Sequence, residues 1–180
     1  MKGIVFTTFN DMVEQKIGID MWESLLESVK PDSGGIYTSI EDFPDQELLD
    51  MVTELSKKTN TPAEVLVNAF GQYLFHALAF KHSVFTDEKP DLMEFLKSIE
   101  SVIHKEVRKL YQNPNLPSIE WEQPTENHLT LYYHSPRKLC HLAEGLIKGA
   151  AEHYETKVDI AQTACMLDGA ERCIFEIEIV

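Results

Sequence analysis

Apolar residues recur at helical spacing through the first two thirds of the chain. The first helix is predicted from an i, i+4, i+7, i+8 pattern: Val5, Phe9, Met12 and Val13. Gly18 marks its end, and an Asp20–Glu23 capping box predicts the start of a second, short helix. A third helix is predicted over residues 47–58, with four leucine and valine side chains on one face: Leu48, Leu49, Val52 and Leu55.

The helix predicted over residues 62–80 is apolar on almost every side. A Thr61–Glu64 capping box marks its start. Because a helix that is apolar all round is typical of a protein interior, we expect Val65–Phe80 to be buried in the middle of the molecule. Gly71 costs about 1 kcal/mol relative to alanine inside a helix, which indicates that another element packs closely there.

The helix predicted over residues 90–111 carries a histidine beside its apolar stripe. The stripe consists of Leu92, Phe95, Leu96, Ile99, Ile103, Val107 and Leu110. His104 lies about 100° around the helix axis from Ile103, on the flank of the stripe. A packed histidine and a metal ligand both fit this position. Pro114 and Pro117 then end the helix.

Beyond Pro117 the hydrophobic pattern is typical of strands. Four strands are predicted: residues 118–121, 128–133, 157–165 and 173–180. The last two form a hairpin around Asp168-Gly169, and residues 136–154 return to helical spacing. Helices followed by a small antiparallel sheet with a covering helix define an α+β fold.

A serine-proline corner follows the second predicted strand. We interpret Ser135 as the N-cap of the last helix, with Pro136 at the first helical position. Arg137 and Lys138 would then lie at the positive end of the helix dipole, which is unfavourable unless an anion lies between them. With the phenol of Tyr133, they would form a cradle for a carboxylate or phosphate. An ordinary helix start with two solvated cations explains the same residues.

The composition limits the classes of partner. A chain of 180 residues, 43% of them hydrophobic, suits one globular domain over residues 1–180. The formal net charge of −14 argues against nucleic acid and anionic membranes as partners. No apolar run reaches the roughly 18 residues of a membrane span, and no secretory signal is evident. Nucleotide-binding, nucleophile-elbow and zinc-protease motifs are absent, so we predict that the chain is not an enzyme.

Three cysteines are an odd number, which does not suggest a disulfide framework and fits a reducing cytoplasm. Cys165 and Cys173 are symmetric about Gly169, and Cys140 lies early in the covering helix. Three converging thiols would suit zinc, although His141 points about 100° away from Cys140 and no fourth ligand is obvious. Three buried apolar side chains, or a Cys165–Cys173 disulfide, fit the pattern as well.

Together these features resemble the haem-nitric oxide/oxygen-binding (H-NOX) domains, which are related to the sensory region of soluble guanylate cyclase. The resemblance covers essentially the whole chain and rests on Tyr133-x-Ser135-x-Arg137, the opening Met1-Lys2-Gly3, His104 and Pro117. It implies a haem b cofactor with His104 as the iron ligand. The motif residues would hold the haem propionates, and Pro117 would press on the porphyrin and bend it.

The resemblance also implies which gases bind. Oxygen-binding relatives place a tyrosine five residues after the motif arginine, with polar support from two helices; those positions here are Leu142, Phe9 and Leu74. An apolar wall is completed by Val5, Leu78 and Leu146. His76 and Tyr73 lie roughly 200° and 100° around the helix from Leu74, so we expect them to face elsewhere. We therefore expect ferrous haem to bind nitric oxide and carbon monoxide and to form no stable oxygen complex.

The resemblance implies a signalling role in the cytoplasm. Nitric oxide would weaken the iron–His104 bond, and a distal helical half (residues 1–60) would shift against a haem-cradling half (61–180). Because the chain ends after the sensor, we expect the output in a separate partner, a sensor histidine kinase or a cyclic-di-GMP enzyme.

Some bacterial members of the family also bind zinc through three cysteines and a histidine. Cys140, Cys165 and Cys173 match the thiols, but Gln162 stands at the histidine position. Two rival functions remain. One is a non-haem, zinc-stabilised regulatory or interaction module, in which the motif merely caps a helix. The other is a haem peroxidase, which the lack of an evident distal His/Arg pair disfavours.

Overall fold

Helices occupy most of the chain as far as Leu110, and a sheet with one covering helix follows. The computed structural model describes residues 1–111 and 114–180. The first helices are α1 (Gly3–Lys16), α2 (Ile19–Val29), α3 (Asp45–Thr59), α4 (Ala63–Lys81) and α5 (Val84–Asp87). The predicted 90–111 helix comprises α6 (Leu92–Ser98), a π-helix (Ile99–His104) and α7 (Lys105–Leu110). Within the described residues, no helix combines the length and apolarity needed to cross a membrane.

The carboxy-terminal part is a four-stranded antiparallel sheet with helix α8 (Cys140–His153). The strands are β1 (Ser118–Thr125), β2 (His128–His134), β3 (Val158–Ala164) and β4 (Cys173–Ile179), in the order β1-β2-β4-β3. Gly169 has a φ of +93° in the connection between β3 and β4, a conformation that glycine adopts without strain. The predicted α+β class and the hairpin around Asp168-Gly169 are confirmed.

Two clusters of buried apolar side chains fill the molecule. The amino-terminal core joins α1, α2, α3 and the first part of α4, and its largest members include Phe6, Phe9, Phe70, Leu25, Met51 and Leu55. The carboxy-terminal core joins the sheet, α6, α8 and the rest of α4, and includes Leu92, Leu96, Leu129, Phe175 and Ile177. Leu74 belongs to the first core and Phe75 to the second. Helix α4 therefore contributes to both cores.

The predicted burial of Val65–Phe80 is only partly right. Phe70, Leu74 and Phe75 are buried, but Val65 is 53% exposed and Phe80 is 92% exposed. These two residues lie near the ends of α4, and Ala69 and His76 are exposed nearer its middle. The apolar pattern overestimated burial because it does not show which faces of the helix the neighbouring elements cover.

Helices α4 and α8 approach each other closely at two glycines. A Cβ atom added to Gly71 would lie 2.8 Å from the Cα atom of Gly145, and one added to Gly145 would lie 2.1 Å from the carbonyl oxygen of Asn68. Any side chain at either position would therefore force the two backbones apart. The close packing predicted at Gly71 is confirmed, with α8 as the partner.

Several details of the predicted helices are wrong. Helix α2 begins at Ile19, and α4 begins after Pro62; neither start has a side-chain cap, so the predicted Asp20–Glu23 and Thr61–Glu64 capping boxes do not form. On α3, Leu49 is 39% exposed, whereas Met51 is fully buried because the core contacts a different part of the helix surface.

The π-helix between α6 and α7 changes the register of the predicted stripe. A π turn contains one residue more than an α turn, so the residues after it are displaced by about 100° around the axis. Ile99 and Ile103 still pack against the carboxy-terminal core. Leu110, after the π turn, is 75% exposed, which corrects its assignment to the apolar stripe.

The close approach of α4 and α8 generates a first prediction. Gly145→Ala should lower the free energy of unfolding by about 1–3 kcal/mol, because overpacking outweighs the better helix propensity of alanine. Ala69→Gly, at an exposed position of α4, makes the reverse exchange. It should also lower the free energy of unfolding by about 1 kcal/mol, because glycine has the lower helix propensity. Urea denaturation measures both. Stabilisation by Gly145→Ala would show that the crossing tolerates a wider spacing.

Candidate functional site

The serine-proline corner is a turn and not the first turn of a helix. Strand β2 ends at His134, and α8 begins only at Cys140. The Ser135 hydroxyl accepts a hydrogen bond from the backbone N–H of Arg137 at 3.3 Å, and Lys138 has a φ of +50°. A left-handed residue at this point interrupts the backbone hydrogen bonds of a helix. The prediction of Ser135 as N-cap is therefore wrong, and the helix predicted over residues 136–154 is present but begins four residues later, at Cys140. The helix dipole thus does not act on Arg137 as supposed.

Tyr133 and Ser135 are nonetheless buried at this corner. Tyr133 is 5% exposed, pairs with Ile119 of β1 on one side and with Cys173 of β4 on the other, and packs into the carboxy-terminal core. Burial raises the pKa of Tyr133, although Ser135 opposes the effect, so the phenol remains a hydrogen-bond donor at neutral pH. Two hydroxyl groups thus lie at the end of β2.

Arg137 has a donor that the protein leaves unused. One terminal nitrogen donates to the carbonyl oxygen of Asn115, while Nε is buried and has no hydrogen-bond partner among the described residues. The nearest carboxylate oxygen, of Asp45, lies 3.8 Å from Nε, beyond hydrogen-bond distance, and Asp45 also pairs with the amino group of Met1 at 2.8 Å. A buried guanidinium donor without an acceptor fits an anionic group such as a propionate.

His104 presents one ring nitrogen in the state that a metal requires. Its side chain is 12% exposed, and Nδ1 lies 2.8 Å from a carboxylate oxygen of Glu100. Because a carboxylate only accepts, Nδ1 donates, and Nε2 of the neutral ring carries the lone pair. In the part of the chain that the structure describes, Nε2 has no hydrogen-bond partner. Burial lowers the pKa of His104 despite the opposing effect of Glu100, which favours the neutral ring.

Glu100 joins three elements of the site. Besides accepting from His104, it accepts from the guanidinium of Arg108 and, at 3.4 Å, from the backbone N–H of Ile119 in β1. Burial by itself would raise the pKa of Glu100. The hydrogen bonds from Arg108 and His104 lower it by more, so the pKa lies below that of an ordinary glutamate. Ile119 follows the partly buried Pro117 by two residues. Our sequence interpretation did not identify Glu100; the available signal was a carboxylate four residues before the histidine, on the same helix face.

The six apolar residues expected to form the distal wall belong to one cluster. Phe9 and Leu74 are buried in the amino-terminal core, and the partly buried members packed against it are Val5, Leu78, Leu142 and Leu146. Leu146 also packs against the carboxy-terminal core, so the wall lies where the two cores meet. His76 is exposed and pairs with Glu152 at 2.9 Å.

The structure connects the histidine to the motif through strand β1. His104 bonds to Glu100, Glu100 accepts from Ile119, and Ile119 pairs with Tyr133 of β2. By contrast, Asp45 and Asn115, which contact Arg137, come from distant or irregular parts of the chain. No local sequence pattern could have identified these two residues, because their contacts depend on the folded arrangement.

The three cysteines converge near the start of β4, the strand that pairs with β2 on the edge opposite β1. Their sulfur atoms all lie within 4.8 Å of one another, with 2.9 Å between those of Cys140 and Cys173, and all three are free thiols, so the Cys165–Cys173 disulfide does not form. Burial and the neighbouring thiols raise the pKa of Cys140, which keeps it protonated without a metal. Within the described residues, no histidine or carboxylate joins the cluster.

Gln162 and His141 lie beside the thiol cluster. Both line an open surface pocket of about 440 Å³ that also includes Cys165. Nε2 of Gln162 is buried without a hydrogen-bond partner in the described part of the chain. The chemistry of the cluster therefore supplies three soft ligands and leaves the fourth position to this pocket.

Comparison with known proteins gives a consistent result. The profile of the Haem-NO-binding family matches residues 2–162. The soluble guanylate cyclase gcy-35 of Caenorhabditis elegans is 27% identical over 167 residues, which cover 88% of this chain and 24% of that protein. The chain thus spans about a quarter of the length of this curated relative.

Solved structures match over nearly the whole of both chains. An H-NOX protein from S. oneidensis in the Fe(II)NO ligation state has a TM-score of 0.94 and 39% identity, covering 100% of this chain and 99% of that one. An unliganded Fe(II) H-NOX protein from K. algicida has a TM-score of 0.91 and 33% identity, covering 100% and 97%.

Proposed function

Since the chain belongs to the haem-NO-binding family of haem-based gas sensors, we propose that it binds nitric oxide and carbon monoxide at ferrous haem iron and excludes oxygen. The observation that carries this proposal is His104: its Nδ1 donates to Glu100, and its Nε2 is left without a partner among the described residues. That state is the one in which imidazole binds a metal.

The residues at the corner fit the rest of a haem. A bound haem would supply an iron atom that accepts both a gas and a protein ligand. We assign Tyr133, Ser135 and Arg137 to the propionates, because a buried Arg137 nitrogen lacks an acceptor and the two hydroxyl groups lie beside it in the chain. Pro117 lies between the Asn115 carbonyl and the start of β1, and we assign it to contact with the porphyrin.

Gas selectivity follows from the distal wall. Bound oxygen carries negative charge on its outer atom and requires a hydrogen-bond donor, which bound nitric oxide does not need. Phe9 and Leu74 are buried apolar side chains, and Leu142 packs beside them. Tyr73 packs against the same core, where burial and, second to it, the nearby Asp11 carboxylate raise the pKa of its phenol, and we place it outside the gas pocket.

Signalling requires two states with different affinities for a partner. We propose that residues 1–180 form one sensor unit, in which a distal half (1–60) shifts against a haem-cradling half (61–180) when His104 is released. The output would lie in a sensor histidine kinase or a cyclic-di-GMP enzyme, as expected from the resemblance. Supporting this division, α1, α2 and α3 contribute to the amino-terminal core and α6 to the carboxy-terminal core, while α4 and α8 contribute to both.

We also propose that Cys140, Cys165 and Cys173 bind zinc. The convergence of three thiols supports this site, and Gln162 in place of a histidine means that the fourth ligand would come from the adjacent pocket. If this were the main role of the chain, it would be a non-haem, zinc-stabilised regulatory module.

Absorption spectra test the proposed function. Purified or haem-reconstituted protein should show a Soret band that shifts with carbon monoxide and nitric oxide, and the ferrous form should show no persistent two-band oxygen spectrum in air. Leu142→Tyr supplies a donor and should introduce weak oxygen binding, whereas Leu142→Phe, which lacks the hydroxyl group, should not. A colourless reconstituted sample would favour the zinc module, and an oxygen complex of the unmodified protein would contradict the selectivity.

A further prediction concerns the anion cradle. Arg137→Ala should lose a charge-assisted contact of about 1.5–3 kcal/mol, which corresponds to roughly ten- to hundredfold faster haem loss. Tyr133→Phe should speed haem loss by less than Arg137→Ala does. Arg172→Ala removes the same charge from an exposed arginine paired with Glu120 and should leave haem loss unchanged. Transfer of haem to an excess of apomyoglobin measures the rates, and equal rates in the two arginine variants would leave the cradle without support.

The thiol cluster predicts about one zinc per chain in protein purified without chelator. Cys173→Ser should lose the zinc, because it removes a ligand and leaves two thiols. Elemental analysis and thiol titration measure metal and sulfur together. Three titratable thiols with no zinc would mean that the cysteines are buried apolar residues, and only one titratable thiol would mean that two are in a disulfide.

A further inference from the structure

Glu100 is placed to act on the haem through His104. Its carboxylate accepts three hydrogen bonds, from the His104 ring, the Arg108 guanidinium and the Ile119 backbone. On the basis of the proposed function, we propose that Glu100 is a positioning residue that sets how strongly His104 binds the iron and that transmits displacement of His104 to strand β1.

The first part of this role is chemical. Glu100 and His104 lie four residues apart in the π-helix, which brings the carboxylate to 2.8 Å from Nδ1. A carboxylate that accepts from a ligating histidine fixes the ring orientation and the tautomer, and it raises the basicity of the other nitrogen. A bond from Nε2 to a metal would therefore be stronger with Glu100 than with a neutral acceptor.

Arg108 limits this effect. Its guanidinium contacts Oε1 of Glu100, whereas His104 contacts Oε2, so a cation and an imidazole share one carboxylate. The cation withdraws charge from the carboxylate and makes it a weaker acceptor for Nδ1–H. A sensor that must release its histidine benefits from an intermediate bond strength, and the Glu100–Arg108 pair would set that strength.

The second part of the role is mechanical. Oε2 of Glu100, which accepts from His104, also accepts from the N–H of Ile119 at 3.4 Å. Ile119 lies opposite Tyr133 in the sheet and two residues after Pro117. Movement of His104 away from the haem would alter the hydrogen bond between Glu100 and Ile119. That bond reaches strand β1, which follows Pro117 and pairs with Tyr133, two residues that we assign to the haem.

The iron–histidine stretching vibration of the ferrous, gas-free holoprotein tests the chemical role, by resonance Raman spectroscopy. Glu100→Gln keeps the shape but weakens the acceptor, so the frequency should fall. Arg108→Ala removes the competing cation, so the frequency should rise. Glu106→Gln alters a carboxylate in α7 that pairs with Lys109 instead and should cause no shift. Shifts in the same direction for Glu100→Gln and Arg108→Ala, or none beyond the control, would overturn the proposal.

A cavity variant separates this inference from the proposed function. In His104→Gly, added imidazole can donate to Glu100, whereas 1-methylimidazole cannot. Imidazole should therefore bind the haem more tightly than 1-methylimidazole, and the ratio of the two affinities should fall when Glu100→Gln is added. An unchanged ratio would overturn the role of Glu100 while leaving His104 as the ligand. A His104→Gly protein that keeps the native ferrous spectrum without imidazole would instead contradict the proposed function itself.

Discussion

The backbone contact between α4 and α8 is the constraint on which both parts of the molecule depend. Gly71 and Gly145 allow the two helices to touch without intervening side chains. Consecutive residues of α4 then enter different cores, with Leu74 in the amino-terminal core and Phe75 in the carboxy-terminal core. The apolar wall drawn from α4 and α8 has its shape because this distance is short. A longer distance would separate the side chains that α4 and α8 contribute to this wall.

The two polar ends of the candidate site are His104, which is held neutral, and Arg137, which stays charged. At His104, burial lowers the pKa and favours the neutral ring, and the hydrogen bond from Nδ1 to Glu100 leaves Nε2 as the available nitrogen. At Arg137, a charge that cannot be removed is held partly buried with a donor unsatisfied. A cationic corner is unusual in a chain of net charge −14. Both ends carry an unmet requirement, one for a Lewis acid and one for an anion, and the proposed haem would meet them with its iron and a propionate.

Strand β2 brings the haem motif and the thiol cluster into one sheet. Tyr133 is paired with Ile119 on one edge and with Cys173 on the other. A displacement of Glu100, which bonds to Ile119, and a displacement of the thiols would therefore both act on strand β2. The sheet is the structural element through which events at the iron and at the cysteines would reach each other.

The sequence by itself determined the α+β class and the order of the elements, because these follow from local periodicity and turn chemistry, whereas the motif residues were recognised through the family resemblance. The helical position of His104 fitted a packed histidine or a metal ligand, and only the family resemblance implied the ligand. Tertiary structure decided the rest. The contacts of Glu100 with Ile119 and of Asp45 with Arg137 join segments that are far apart in the chain. The π turn that moves Leu110 out of the stripe and the turn at Ser135 that replaces an N-cap are local, but apolar periodicity does not distinguish them from a regular helix. Local patterns describe what one segment can form, whereas the partner that each polar group finds is fixed only when the segments pack together.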